Sequence, residues 1–558
     1  MEDNLYSVLK PGRYINQEWN SIHKEWERDS LKVALCFPDI YEIGMSHLGM
    51  RILYDILNKE EGIICERVFA PWGDMEKKLR SENKALCSLE SKNALNKFDI
   101  IGFSLQYEMN YPDVLNMLDL GGVAMYAKDR CDTDPLVIAG GPCAFNPEVM
   151  ADFIDAFVIG EAEDVILEIA RLVRCWMLDT RCSRSEVLSS LSKIKGVYVP
   201  VSSIEHRVSS IKYQVSGIRY QVTGNRYQAP GIQRRIIEDL DASHFPTSPI
   251  VPYIQIVHDR ISIEIMRGCP HKCRFCQACK IFHPLRARSV KSIMDIAERS
   301  VRNTGYEEIS LLSLSSGDYP YLEELVRKME EKFRPLGIKV SLPSLRVKSF
   351  DEHSEINVMK RSGLTFAPEA GSERLRNLLN KKITNEDIIE KSRIAFNSGW
   401  RKVKLYFMIG LPGEEYGDLE KIIELALKIK NVNLSISSFI PKPHSEFERE
   451  GMEGLEVLKD KRRYLCSMLD ARCSMRQVKM DFHSIEMAKI EAVLSRGDRK
   501  VGEVIFKAWQ KGARLQAWTE YFNYSIWEES LQESGISPEV YLSKRGKEEV
   551  LPWSFIEM

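Results

Sequence analysis

The sequence predicts an α/β fold in two parts, an open, doubly wound sheet domain followed by a partial (β/α)6 barrel, and then a helical C-terminal region. Three observations predict it. Short apolar segments alternate with helical patterns over residues 33–165. The alternation resumes over 262–440 with six strand candidates. A cysteine triad, Cys269, Cys273 and Cys276, follows directly on the first of those six.

The first part opens with an apolar strand at Val33–Phe37, stopped by Pro38-Asp39, and a helix near Met45–Asn58 with Met50, Leu53, Tyr54 and Leu57 on one face. Asp99–Ser104, Leu136–Ala139 and Phe153–Ile159 read as further strands. Ligands of an open parallel sheet bind at the carboxyl ends of its strands. Ser104, Gly140, Gly141 and Gly160 fall at such ends.

Residues 211–228 carry a seven-residue tandem repeat, Ile211–Gly217 followed by Ile218–Gly224 and a partial third copy. Two and a half copies cannot stack into a solenoid core, so the repeat reads as a surface insertion. The barrel strands begin near Ser262, Ile309, Val340, Thr365, Val403 and Leu434, with helices at Thr384–Asn397 and Tyr416–Lys430. Thr384-Asn385-Glu386-Asp387 is a helix start, with a capping threonine and acidic first turn. The span falls short of the roughly 250 residues of an eight-unit barrel, so six units fit it. The predicted boundaries are 1–200 for the sheet domain, 201–250 for a linker bearing the repeat, 251–445 for the barrel, and 446–558 for the helical region. Its aromatic residues, from Trp509 to Trp527, read as core or docking residues.

The 558 residues are 44% hydrophobic and 28% charged, the composition of an ordinary globular protein. A net charge of −2 predicts no global attraction to nucleic acid or anionic membrane. No apolar run approaches the ~18 residues of a membrane span, and the N-terminus lacks the pattern of a signal peptide. Thirteen cysteines without an export signal predict a reducing, cytoplasmic setting.

The triad lies in Gly-Cys-Pro-His-Lys-Cys-Arg-Phe-Cys, spaced C-x3-C-x2-C. Three thiolates so placed can each ligate one iron of a [4Fe–4S] cube, which usually has four cysteine ligands. A three-cysteine site leaves one iron open. A zinc site would instead show paired C-x2-4-C or histidine clusters. Cys279 is the nearest candidate for a fourth ligand and reads as a bystander thiol.

The triad strongly resembles the cluster motif of the radical SAM superfamily. The resemblance implies that S-adenosylmethionine (SAM) chelates the open iron and that an electron from the cluster cleaves it to a 5′-deoxyadenosyl radical. It also implies SAM contacts at Phe275, before the third cysteine; Ser316, Gly317 and Asp318, after strand two; Arg346, after strand three; Glu369, after strand four; and Met408 and Gly410, at the end of strand five. It implies an external electron donor such as flavodoxin or ferredoxin, and assigns no catalytic residue beyond the cluster.

Ala34–Ser46, Gly102–Glu108, Gly140–Cys143, Pro441–His444 and Arg496–Arg499 make nearly the whole chain similar to an uncharacterised family of radical SAM proteins with an N-terminal B12-binding-like, Rossmann-like domain. That resemblance implies cobalamin, held near Ser104, Gly140, Gly141 and Gly160. The usual lower-ligand motif Asp-x-His-x-x-Gly is absent, and His47 reads as a helix-start residue. The expected activity is therefore radical SAM chemistry with cobalamin-dependent methylation of an unknown substrate. One alternative is a methylthiotransferase-like tRNA or protein modifier, with a second cluster on Cys36, Cys65 and Cys143. The other is a non-catalytic iron–sulfur protein that binds RNA or a partner, whose local support is the basic run Lys459–Arg463.

Overall fold

The computed structural model describes residues 2–178, 183–200, 231–343, 364–472 and 478–558. The 211–228 repeat and Arg346 lie outside them. The chain packs as two units. One comprises 1–259, 494–537 and 550–558; the other comprises 260–493 and 538–549.

The first unit is built on a six-stranded sheet of order β2-β1-β3-β4-β5-β6. Its strands are β1 (Leu31–Phe37), β2 (Ile63–Phe69), β3 (Ile100–Ser104), β4 (Leu136–Gly140), β5 (Ala156–Val158) and β6 (Val197–Tyr198). The first five are parallel and β6 is an antiparallel edge. The order reverses between β1 and β3, which is the switch point of a doubly wound sheet. Helix Leu48–Lys59 lays Met50, Ile52, Ile56 and Leu57 into the core beside β1 and β2. A short strand β7 (Ile232–Gln233) pairs with Ile556–Glu557, which ties the C-terminus to this unit. Trp518 and Tyr521 pack edge-on against Trp72, and Trp527 is fully buried.

Strand β2 has no apolar alternation to announce it. Its run Ile-Ile-Cys-Glu-Arg-Val-Phe carries two charges in mid-strand, yet all seven residues are buried. Partners make this possible. Arg67 pairs with Glu18 at 2.5 Å and Glu90 at 2.6 Å, while Glu66 accepts from Trp26 Nε1 and Ser91 Oγ.

The second unit holds all six expected strands, every one parallel, in two sheets. β8 (Ile261–Glu264), β11 (Glu308–Leu312) and β12 (Lys339–Ser341) form one in the order β12-β11-β8. β13 (Leu364–Glu369), β14 (Val403–Ile409) and β15 (Val432–Ser438) belong to the other. Between β8 and β11 a small antiparallel pair, β9 (Met266–Arg267) with β10 (Arg286–Ala287), closes the base of the cysteine loop. A seventh parallel strand, β16 (Val478–Phe482), extends the second sheet beyond β15, in a stretch read as helical. Its alternating exposure marks an edge strand.

Candidate functional site

The cysteine loop leaves β8 through β9 and returns through β10. Gly268 opens it at φ +90°, where a side chain would meet the carbonyls of Phe282 and Pro284 at 2.8 and 2.9 Å. Arg267 closes one side by forking onto Glu264 at 2.9 and 2.8 Å. Cys269, Cys273 and Cys276 are all half-buried. The buried Cys279 thiol donates to the Cys276 carbonyl at 3.0 Å. A hydrogen bond from Cys279 pulls the Cys276 thiol down to about 6, while the same bond pushes Cys279 up. Of these two, Cys276 is the one favoured as thiolate.

Among the described residues no three His, Cys, Asp or Glu side chains converge on a point suited to one ion. A cube takes one thiolate per iron, so its ligands need not converge. The donor set and its accessibility fit a three-cysteine cluster.

The loop is fastened to its surroundings by contacts that sequence reasoning missed. Arg274 N–H donates to Leu379 O at 3.1 Å, and Phe447 N–H to Arg274 O at 3.1 Å. The Arg274 guanidinium lies 4.7 Å from the centre of the Phe447 ring. Asn380 Nδ2 donates to Lys272 O at 2.7 Å. His271, between the first two cysteines, pairs with Asp318 Oδ2 at 2.7 Å, and Ser315 Oγ donates to the same oxygen.

Of the expected SAM residues that are described, Phe275 lies in the cysteine loop and the others at the carboxyl ends of strands. Phe275 and Met408 pack on one cluster with Ala370, Leu375, Leu411 and Phe439. Ser316, Gly317 and Asp318 form a single 3-10 turn after β11, with Ser316 and Gly317 buried and Asp318 turned to the His271 side. Glu369 ends β13 after a register shift and adopts φ +71°, a left-handed conformation uncommon away from glycine. Its carboxylate takes Lys381 Nζ at 2.9 Å. The fully buried Arg376 holds the next turn by donating to Ala370 O and Gly371 O at 3.0 Å each, to Ile383 O at 2.9 Å and to Asn385 Oδ1 at 2.6 Å. Gly410 has φ +81°, and its N–H donates to Glu414 at 2.7 Å, so this amide is used within the protein.

The first unit's candidates are arranged differently. Gly141 has φ +108°, and a side chain there would meet Leu105 O at 2.5 Å and Gln106 Nε2 at 2.9 Å. Gly160 has φ +105°, and its open side is filled by the backbone of Arg235. Ser104 Oγ accepts from Gln106 Nε2 at 2.9 Å. Gly140 keeps space, with nothing nearer than Val158 at 3.6 Å. Two of the three glycines are thus occupied by the chain itself, and the space is left at Gly140. His47 caps helix Leu48–Lys59, its Nδ1 accepting from Met50 N–H at 3.2 Å. Desolvation lowers it to about 4, and a bond to Gln106 opposes the shift.

Residues 49–200 match the family described as radical SAM proteins, N-terminal, and residues 263–426 match the radical SAM superfamily. The chain is a radical SAM enzyme. Its family implies a [4Fe–4S] cluster, SAM and an electron donor from outside the chain. The chain is 28% identical over 482 residues to the uncharacterized protein MJ0966 of Methanocaldococcus jannaschii, which covers 85% of this chain and 90% of that one. It is 28% identical over 229 residues to the tRNA-2-methylthio-N(6)-dimethylallyladenosine synthase of Pelagibacter ubique, covering 36% of this chain. The chain spans about half the length of that enzyme, 48%. In fold it resembles the radical SAM methyltransferase TsrM from Kitasatospora setae, solved with cobalamin and a [4Fe–4S] cluster bound. The TM-score is 0.53 at 13% identity, over 91% of this chain and 100% of that one. Among the described residues no helix is long and apolar enough to cross a membrane.

Proposed function

We propose that this enzyme is a cobalamin-dependent radical SAM methyltransferase acting on an unactivated carbon or phosphorus. The observation that carries the reading is the shared architecture with TsrM across nearly the whole of both chains. When bound, the cluster supplies the electron that cleaves SAM. This chain's part is to hold the cluster on Cys269, Cys273 and Cys276 and to orient SAM on residues at the strand ends. Phe275 and Met408 offer an apolar wall for the adenine, and Asp318 and Glu369 offer carboxylates to its polar groups. Arg346 is a further proposed contact, after β12. Cobalamin rests on the likeness in fold and on the carboxyl edge of the first sheet, where Gly140 leaves room and Ser104 lies on the neighbouring strand. The proposed setting is the cytoplasm, with flavodoxin or ferredoxin as electron donor.

The methylthiotransferase alternative has relatives in its favour, but the first unit weighs against its second cluster. Cys65 pairs with Val33, and Cys36 with Val68. The two cysteines are three residues out of register and so lie on opposite faces of the sheet. Both thiols are buried and pushed up by desolvation, the opposite of ligand-ready thiolates.

Anaerobic reconstitution with iron, sulfide and cobalamin tests both readings. About four irons per chain and co-eluting corrinoid support the proposal. Near eight irons without corrinoid would replace it with the methylthiotransferase reading.

A further inference from the structure

We infer that Lys381 sets the reduction potential of the [4Fe–4S] cluster, acting as a largely buried cation clamped against the cluster loop. The inference rests on the cysteine loop being the cluster site. Two hydrogen bonds, one between backbones and one from a side chain, bring the lysine there: Arg274 N–H donates to Leu379 O, and Asn380 Nδ2 to Lys272 O, so residues 379 and 380 are tied to the loop immediately before Lys381. Its Nζ lies 6.0 Å from the centre of the Phe275 ring, the residue preceding Cys276. Its side chain is 12% exposed, and that of its partner Glu369 is 15% exposed.

Other cations on or beside this loop are placed to matter less. Arg274 and Lys280 are each 41% exposed and share the exposed Glu446. Arg267 is spent in its two-bond fork on Glu264. Exposed charges are screened by water and salt within about a Debye length. A buried charge keeps its reach. Adding one electron to the cluster makes the site one unit more negative, and a fixed cation favours that reduced state. Cluster potentials respond to local charge, hydrogen bonding and exposure. Glu369 opposes the lysine, and its left-handed backbone marks a position held where the surrounding fold demands it.

The test is a dye-mediated potentiometric titration of the anaerobically reconstituted full chain without SAM, read by the EPR signal of the reduced cluster. Lys381→Met is expected to move the midpoint to more negative potential and Lys381→Arg to leave it near wild type. Glu369→Gln is expected to move it to more positive potential. Lys280→Met, at an exposed site, should shift it less than Lys381→Met. A wild-type midpoint in Lys381→Met at full iron content would overturn the inference. Should Lys381→Met fail to take up iron, Glu369→Gln decides: no shift, or a negative one, overturns it. A wild-type chain that binds no cluster would instead overturn the functional reading, so the two failures are distinguishable.

Discussion

The carboxyl ends of the parallel strands carry glycine turns in both units and end in different states. In the first unit much of the edge, though not the space beside Gly140, is filled by its own chain. Trp518 Nε1 donates to Asp39 beyond β1 at 2.9 Å, Arg67 on β2 is locked between Glu18 and Glu90, and Arg235 fills the space beside Gly160. In the second unit the corresponding edge carries half-exposed polar groups. His271 and Asp318 are 30% and 28% exposed, the three cysteines are half-buried, and Glu369 is held at positive φ. A glycine turn at a strand end is thus ambiguous by itself. Whether it serves packing or a ligand depends on what occupies the space the missing side chain leaves.

The largest effect that would break this comparison lies in the cysteine loop. Cys269→Ala, Cys273→Ala and Cys276→Ala should each abolish SAM cleavage and strip the cluster, whereas Cys279→Ala should keep its iron. Iron counts after anaerobic reconstitution check this. Equal iron loss in Cys279→Ala and Cys273→Ala would mean a four-ligand cluster with no open iron.

Next in size are the buried arginines that fix each edge. Arg67→Met leaves two buried carboxylates without their cation and should cost about 3–5 kcal/mol. Arg376→Met leaves three carbonyls and the Asn385 amide oxygen unsatisfied and gives up a long pair with the exposed Glu373, at about 1–3 kcal/mol. Denaturant unfolding followed by circular dichroism should rank Arg67→Met as the more damaging.

These residues also mark where the sequence was legible. The cysteine triad was readable because its ligands are adjacent in the chain. The Thr384 cap was readable for the same reason, and the structure shows both halves of its capping box with Asp387. Strand β2 was not, because Glu66 and Arg67 look like surface charges until Glu18 and Glu90, distant in sequence, are seen to neutralise Arg67. The clamp of Arg274, Asn380 and Phe447 on the cluster loop spans more than a hundred residues, and no local period encodes it. Edge strand β16 was hidden by the helices around it.

A smaller effect concerns His47. Its folded-state value, about 4, lies below the ~6.5 of an unfolded histidine. Between these values the unfolded chain binds more protons, so stability is fully present above about 6.5 and is lost as pH falls toward 4. His47→Asn keeps a capping side chain and removes the titration. Its unfolding midpoint should therefore fall less than wild type between pH 6.5 and 4.5. An unchanged slope would mean that His47 is not the group responsible.

The smallest expected effect separates the two adjacent glycines of the first edge. Gly141 needs its positive φ and faces Leu105 O at 2.5 Å, so Gly141→Ala should destabilise the protein whether or not cobalamin binds. Gly140 has no such constraint, since a Cβ there makes an ordinary contact with Val158 at 3.6 Å. Gly140→Ala should therefore leave the melting temperature within about 2 °C of wild type, the shift of a change under 0.5 kcal/mol in a protein of this size. Gly140 is consequently the cleaner probe for a corrin at this edge. If cobalamin lies over β4, Gly140→Val should lower corrinoid uptake while the iron count stays at the wild-type value, because the cysteines belong to the other unit. Full corrinoid uptake by Gly140→Val would remove this edge from the corrin site and leave cobalamin binding to be located elsewhere in the first unit.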